Sequence, residues 1–150
     1  MAESAVNYRP SHFGICVTDL DRSLRFYCEG LGFQAAERYD LKDTPESGLD
    51  RSLEVASPVE LISQFIRHGD MGVELLYYHS PPTFGKPSAS RGQVGITHLS
   101  FYVDDVDAAL TRLLEYGGTL LPNTRANPGV DLVFVADPDG VRVELMKADD

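Results

Sequence analysis

Two histidines and two glutamates stand at corresponding places in a sequence that repeats itself. The run His12-Phe-Gly-Ile-Cys-Val17-Thr-Asp19-Leu-Asp21-Arg-Ser-Leu24 returns as His98-Leu-Ser-Phe-Tyr-Val103-Asp-Asp105-Val-Asp107-Ala-Ala-Leu110. His, Val, Asp, Asp and Leu recur in register, and so do Glu29 with Glu115 and Gly32 with Gly118. Each copy closes in a strand-like run with a central carboxylate, Gly72-Val-Glu74-Leu-Leu and Val141-Arg-Val-Glu144-Leu-Met. Two imidazoles and two carboxylates are a donor set for one first-row divalent ion. A single strand histidine is most often structural or exposed, and a single glutamate between apolar neighbours most often faces solvent. Four such residues in matched register make His12, Glu74, His98 and Glu144 candidate metal ligands. Burying a carboxylate beside Val73 and Leu75, or Val143 and Leu145, is costly unless it is paired or metal-bound.

The elements that must position these residues also repeat. His12 to Val17 is a β-type run. Asp19 and Asp21 then put negative charge where a helix begins, and Leu20, Leu24, Tyr27 and Leu31 follow at helical spacing. Gly30 and Gly32 end that helix. Asp105 to Tyr116 repeats the plan with Val106, Leu110, Leu113 and Leu114, and Gly117-Gly118 ends it. Further strands are expected near 33–40, 60–67, 71–79, 119–122, 131–136 and 141–147, with a hairpin turn at Asp137-Pro-Asp-Gly140. The chain is therefore read as one domain over residues 1–150, of α+β class. It comprises two βαβββ modules at about 8–80 and 94–148, joined by the turn-rich linker 80–94. The stretch Lys42 to Asp50 has no counterpart in the second module, and such a loop serves as often to cover a site as to extend the surface.

Side chains alternate along a strand, so the residues flanking the ligands on the same face should line a pocket. These are Gly14, Cys16, Leu76, Tyr78, Ser100, Tyr102, Arg142 and Met146. The set is mostly apolar with two phenols and a guanidinium, which suits a small organic substrate with a few oxygens. His68 and His79 have no matched partners and read as surface residues; Cys28 reads as helix packing. Neither Cys16 nor Cys28 has a base or second thiol at motif spacing, so nucleophilic catalysis is not indicated. The Gly-Leu-Gly at 30–32 ends a helix and so forms no phosphate loop.

At 150 residues the chain suffices for one core. Its net charge of −10 argues against nucleic acid or an anionic membrane as partner. No stretch approaches the roughly 20 apolar residues of a membrane span. The start, Met1 to Val6, lacks the pattern of a signal peptide. Two cysteines without metal-type pairing predict reduced thiols in a cytoplasmic protein.

The chain resembles the vicinal oxygen chelate superfamily of glyoxalase I, methylmalonyl-CoA epimerase, extradiol dioxygenases and bleomycin- or fosfomycin-resistance proteins. The resemblance runs through His12, Asp19-Leu-Asp-Arg-Ser-Leu-Arg-Phe-Tyr27, Leu31-Gly-Phe33, Gly72-Val-Glu-Leu75, Gly95-Ile-Thr-His98 and Phe134-Val-Ala-Asp-Pro-Asp-Gly-Val-Arg-Val-Glu144-Leu. It implies paired modules forming a cupped mixed sheet, or partly open barrel, around one divalent ion (Ni, Zn, Co, Mn or Fe). It also implies a homodimer, the four ligands coming from one chain in some members and from two in others.

The full His/Glu/His/Glu set is similar to that of glyoxalase I. There the ion chelates adjacent substrate oxygens while a ligand glutamate moves a proton. Carried over, Glu144 or Glu74 is base as well as ligand, with Glu144 favoured. The function so implied is a lyase or isomerase transferring a proton next to a carbonyl of a small chelated substrate. Three alternatives stand beside it. An Fe(II) extradiol-type dioxygenase would use His12, His98 and Glu144, with Glu74 one ligand too many. A methylmalonyl-CoA epimerase-like enzyme would need a second base, and Ser63 and Gln64 stand near that position. A small-molecule binding or resistance protein would not need the whole quartet. Glyoxalase I carries Arg and Asn where this chain has Cys16 and Tyr78, so the resemblance implies its metal chemistry without its glutathione pocket.

Overall fold

The computed structural model describes residues 6–125 and 129–149. The first five residues, read above for the absence of a signal peptide, lie outside them. Two four-stranded mixed sheets carry the molecule. The first runs β1 (Phe13–Cys16), β4 (Met71–Ser80), β3 (Glu60–His68) and β2 (Gln34–Lys42) in spatial order; the second runs β5 (Leu99–Val103), β8 (Arg142–Lys147), β7 (Leu132–Ala136) and β6 (Thr119–Leu120). In each sheet the first strand pairs parallel with the last, and the remaining pairings are antiparallel. The fold is α+β, as the spacing predicts, and neither sheet closes into a barrel.

The helices start where the aspartates predict. Asp19 has extended backbone and accepts from the Arg22 amide at 2.9 Å to cap α1 (Leu20–Leu24), and Asp105 accepts from the Ala108 amide at 2.9 Å to cap α3 (Val106–Glu115). The first helix then departs from the α spacing expected of Leu20, Leu24, Tyr27 and Leu31. It widens into a π-helical stretch, Arg25–Gly30, which brings Phe26, Tyr27 and Gly30 together onto the buried side. The cause lies in the second module. Gly30 packs against Leu113 and Tyr116, where a Cβ would crowd their side chains, and the Arg112 guanidinium donates to the carbonyls of Gly30 and Glu29. In the 42–50 region a short helix, α2 (Leu49–Leu53), adds an element that the second module lacks among the described residues.

Burial shows which sheet face meets the helices. Val73 and Leu75 in β4, and Val143 and Leu145 in β8, are buried in a core continuous across both halves, with Val17, Phe26, Tyr27, Leu113 and Val135. The alternating residues Glu74, Leu76, Glu144 and Met146 therefore stand on the opposite, open face. Polar ties join the halves as well. Asp139 accepts from the Thr18 amide at 2.9 Å, from the Thr18 hydroxyl and from Arg22 at 2.9 Å. The Tyr27 phenol donates to buried Asp137 at 2.8 Å.

Candidate metal centre

The register of the sheets brings each histidine to its own module's glutamate. His12 lies just before β1, where Gly14 is opposite Glu74; His98 lies just before β5, where Ser100 is opposite Glu144. His12 Nε2 is 3.2 Å from Glu74 Oε2, and His98 Nε2 is 3.5 Å from Glu144 Oε2. The surroundings repeat too. Each imidazole meets a phenyl ring edge-on, Phe65 at 5.0 Å and Phe134 at 5.1 Å, and these phenylalanines sit opposite Glu74 and Glu144. Each Nδ1 meets the hydroxyl of the preceding residue, Ser11 at 2.9 Å and Thr97 at 2.8 Å. A histidine held at Nδ1 presents Nε2 in a fixed direction, as metal-ligating histidines do. The carboxylates are held as well: Ser63 donates to Glu74 Oε1 at 2.5 Å and Ser100 to Glu144 Oε2 at 2.6 Å. The donor atoms thus fit a divalent ion in type and orientation.

The four side chains do not come together within one chain. Among the described residues no three His, Cys, Asp or Glu side chains are grouped to hold an ion. Instead there are two half-sites, one on each sheet. The His12 and Glu74 side chains are 32% and 20% exposed, and those of His98 and Glu144 33% and 15%. Their neighbours Val73, Leu75, Val143 and Leu145 are buried, as expected, while strand alternation places the two glutamates themselves on the open faces.

The expected pocket residues divide. Gly14, Cys16 and Arg142 line a cavity of about 500 Å³ between the edges of β1 and β5 and the linker. Ser100 holds Glu144. Leu76 pairs with Cys16, and Met146 with Tyr102, on the ligand-bearing faces, but these three, with Tyr78, lie outside that cavity. The Cys16 thiol is raised above its ordinary pKa, by burial first and then by the charge of Glu74. Burial raises the Tyr78 phenol also, with Cys16 and Glu74 adding to it. Both groups therefore face the site uncharged. Burial lowers the Arg142 guanidinium, Arg91's charge lowers it further, and Glu144 partly offsets this; it stays protonated.

Ser63 and Gln64 carry no second base. Ser63 is committed to Glu74, and the Gln64 amide donates to the carbonyls of Ala36, Glu37 and Phe65. His68 and His79 are exposed and Cys28 packs against the core, as expected. Sequence reasoning missed the orienting groups Ser11, Thr97 and Ser63. A signal existed for two of them, since a hydroxyl residue directly precedes each histidine.

The sequence profile of the Glyoxalase/Bleomycin resistance protein/Dioxygenase superfamily matches residues 9–145, and the chain belongs to that superfamily. The uncharacterized protein YaeR of Escherichia coli (strain K12) is 31% identical over 138 residues, which are 89% of this chain and 92% of that protein. A probable lactoylglutathione lyase of Synechocystis sp. is 27% identical over 142 residues, 91% of this chain and 92% of its own length. The crystal structure of a glyoxalase family protein from Bacillus cereus matches with a TM-score of 0.80 at 20% identity, covering 98% of this chain and 97% of that one. At that identity the likeness is one of fold.

Proposed function

We propose that the protein is a divalent-metal-dependent lyase or isomerase of the glyoxalase type, acting in the cytoplasm on a small substrate held through adjacent oxygens. The observation that carries this reading is the duplicated His–Glu contact, with each imidazole and each carboxylate already oriented by a hydroxyl. His12, Glu74, His98 and Glu144 would hold the ion, which when bound draws charge from the substrate oxygens and acidifies the carbon next to the carbonyl. The geometry favours Glu144 as the base. Both oxygens of Glu74 are engaged, Oε1 by Ser63 and Oε2 by His12, whereas Ser100 and His98 both meet Glu144 Oε2. Among the described residues Glu144 Oε1 is thus left to take a proton from one carbon and return it to its neighbour, an isomerisation with no net redox change.

The reading includes a second copy of the chain. Each copy would contribute the half-site of one sheet to face the other half-site of its partner. Two observations support this. The half-sites lie apart in one chain, and Val94 at the end of the linker and Ile96 just beyond it, 100% and 81% exposed, are apolar side chains for a partner to cover. The family relative named as a lactoylglutathione lyase supports the reaction class. The neutral Cys16 and Tyr78 favour a substrate other than a glutathione adduct.

Elemental analysis of protein purified without chelator tests the metal. About one transition-metal ion per chain is expected, lost in His12→Ala and Glu144→Gln. Substrate-dependent deuterium incorporation then tests proton transfer. Absence of metal after reconstitution with each candidate ion would sink the enzyme reading, and oxygen consumption with Fe(II) would replace the lyase by a dioxygenase.

A further inference from the structure

The chain is acidic overall, yet it contains no aspartate or glutamate between Glu74 and Asp104. That interval holds the linker, which folds over the open edges of β1 and β5 and walls the cavity of about 500 Å³ beside His98. Lys86 and Arg91 of the linker line the cavity, as does Arg142 of β8. None of the three forms an ion pair with a carboxylate among the described residues. Asp139 contributes a carboxylate to the wall, but Thr18 and Arg22 occupy it. Glu144, near Arg142 on the same strand, is engaged by Ser100 and His98.

The placement of Arg142 breaks the duplication. Its counterpart before Glu74 is Gly72, where any Cβ would overlap the carbonyl oxygen of Ser11. The second module therefore has a guanidinium two residues before its glutamate, on the same strand face, and the first cannot. This guanidinium lies over the Phe134 ring at 4.3 Å, and its Nε is buried without a hydrogen-bond partner among the described residues. A buried donor left unpaired is costly unless something meets it. The linker is shaped before any ligand arrives: Ser88 donates to Gln93 at 2.6 Å and accepts from the Ser90 amide at 3.1 Å, and Arg91 donates to the Ser88 carbonyl at 2.7 Å.

We propose that this cavity is an anion subsite, in which Arg142, Arg91 and Lys86 receive a carboxylate or phosphate carried by the substrate in addition to its metal-chelating oxygens. Guanidinium groups meet planar carboxylates and phosphates in paired hydrogen bonds. The connection to turnover rests on the proposed function; the anion site itself does not.

The test uses full-length protein freed of metal and titrated with inorganic phosphate and, separately, acetate, followed by amide and arginine Nε–H NMR signals. Saturable shifts confined to residues 86–98 and 140–142, including the Arg142 Nε–H, are expected with at least one of the two anions. The tighter anion names the group. Arg91→Gln, on the exposed linker, and Arg142→Gln should each weaken binding about tenfold, while Lys42→Gln on another surface changes nothing. Shifts that never saturate with either anion, or that survive both substitutions, overturn the subsite. Metal content of Arg91→Gln is measured in parallel. Metal retained without anion binding removes the subsite and leaves the proposed function; anion binding without metal does the reverse.

Discussion

A histidine can serve a metal only if one nitrogen is free and aimed, and here the aim comes from small hydroxyls. Ser11 and Thr97 engage Nδ1, leaving Nε2 turned to the carboxylates. Ser63 and Ser100 then fix the carboxylates. Removing either of these two serines should loosen the ion without removing a ligand. Ser63→Ala and Ser100→Ala are expected to weaken metal affinity about tenfold, read by competition with a chelator of known affinity. Unchanged affinity would show that the hydroxyls orient nothing.

At the scale of elements, two features hold the half-sites in register. The first is the close approach of β1 to β4 at Gly72. Gly72→Ala should force the segment of Ser11 and His12 away from the strand, costing about 2 kcal/mol of stability and weakening metal binding together. Urea unfolding and the chelator competition check the two effects. The second is the turn at Asp137. Its carboxylate accepts from Tyr27 and from the amides of Asp139 and Val141, at 2.8, 2.9 and 2.8 Å, so one buried side chain shapes the hairpin before β8 and ties it to the first helix. Burial raises its pKa, with the hydrogen bonds opposing and Asp139's charge adding to the rise. A raised carboxyl holds its proton more tightly in the folded chain than in the unfolded one. Asp137 therefore lowers stability as pH rises from the ordinary aspartate range, near about 4, through the raised folded value, and adds no slope above it. Asp137→Asn should gain stability relative to the parent across that window. Urea midpoints at a series of pH values measure this, and a relative loss would reverse the assignment.

At the scale of the whole molecule, the half-sites call for a test of where each site's ligands originate. If every site combines His12 and Glu74 of one copy with His98 and Glu144 of another, His12→Ala and His98→Ala chains should complement each other. In a mixed dimer, one site carries both substitutions and the other carries neither. Mixing the two metal-free variants, after mild denaturation and refolding, should restore metal at about half the parental content in the mixed dimers. With all four ligands from one chain, every site in the mixture lacks a histidine, and no metal returns.

Much of this was legible in the residues. The duplication, the alternation of strands and the capping aspartates place Glu74 and Glu144 on corresponding strands, and His12 and His98 at the starts of two others, because strand and helix periods are local properties of the chain. The α+β class and the element order follow from the same periods. The π-helical stretch was not legible, because Gly30 meets Leu113 and Tyr116, residues far along the sequence. Nor was the distribution of the ligands. Alternation says which residues share a face, but whether that face meets the core or the open side depends on which side the helices cover, and here they cover Val73 and Val143. The sequence alone supplied the candidate donor set His12, Glu74, His98 and Glu144, through matched spacing in the two copies. Only the tertiary structure decided that each histidine meets its own module's glutamate, that the two pairs stay apart, and that Arg142 faces the cavity with no ion-pair partner among the described residues, because those outcomes depend on how strands and sheets are set against one another.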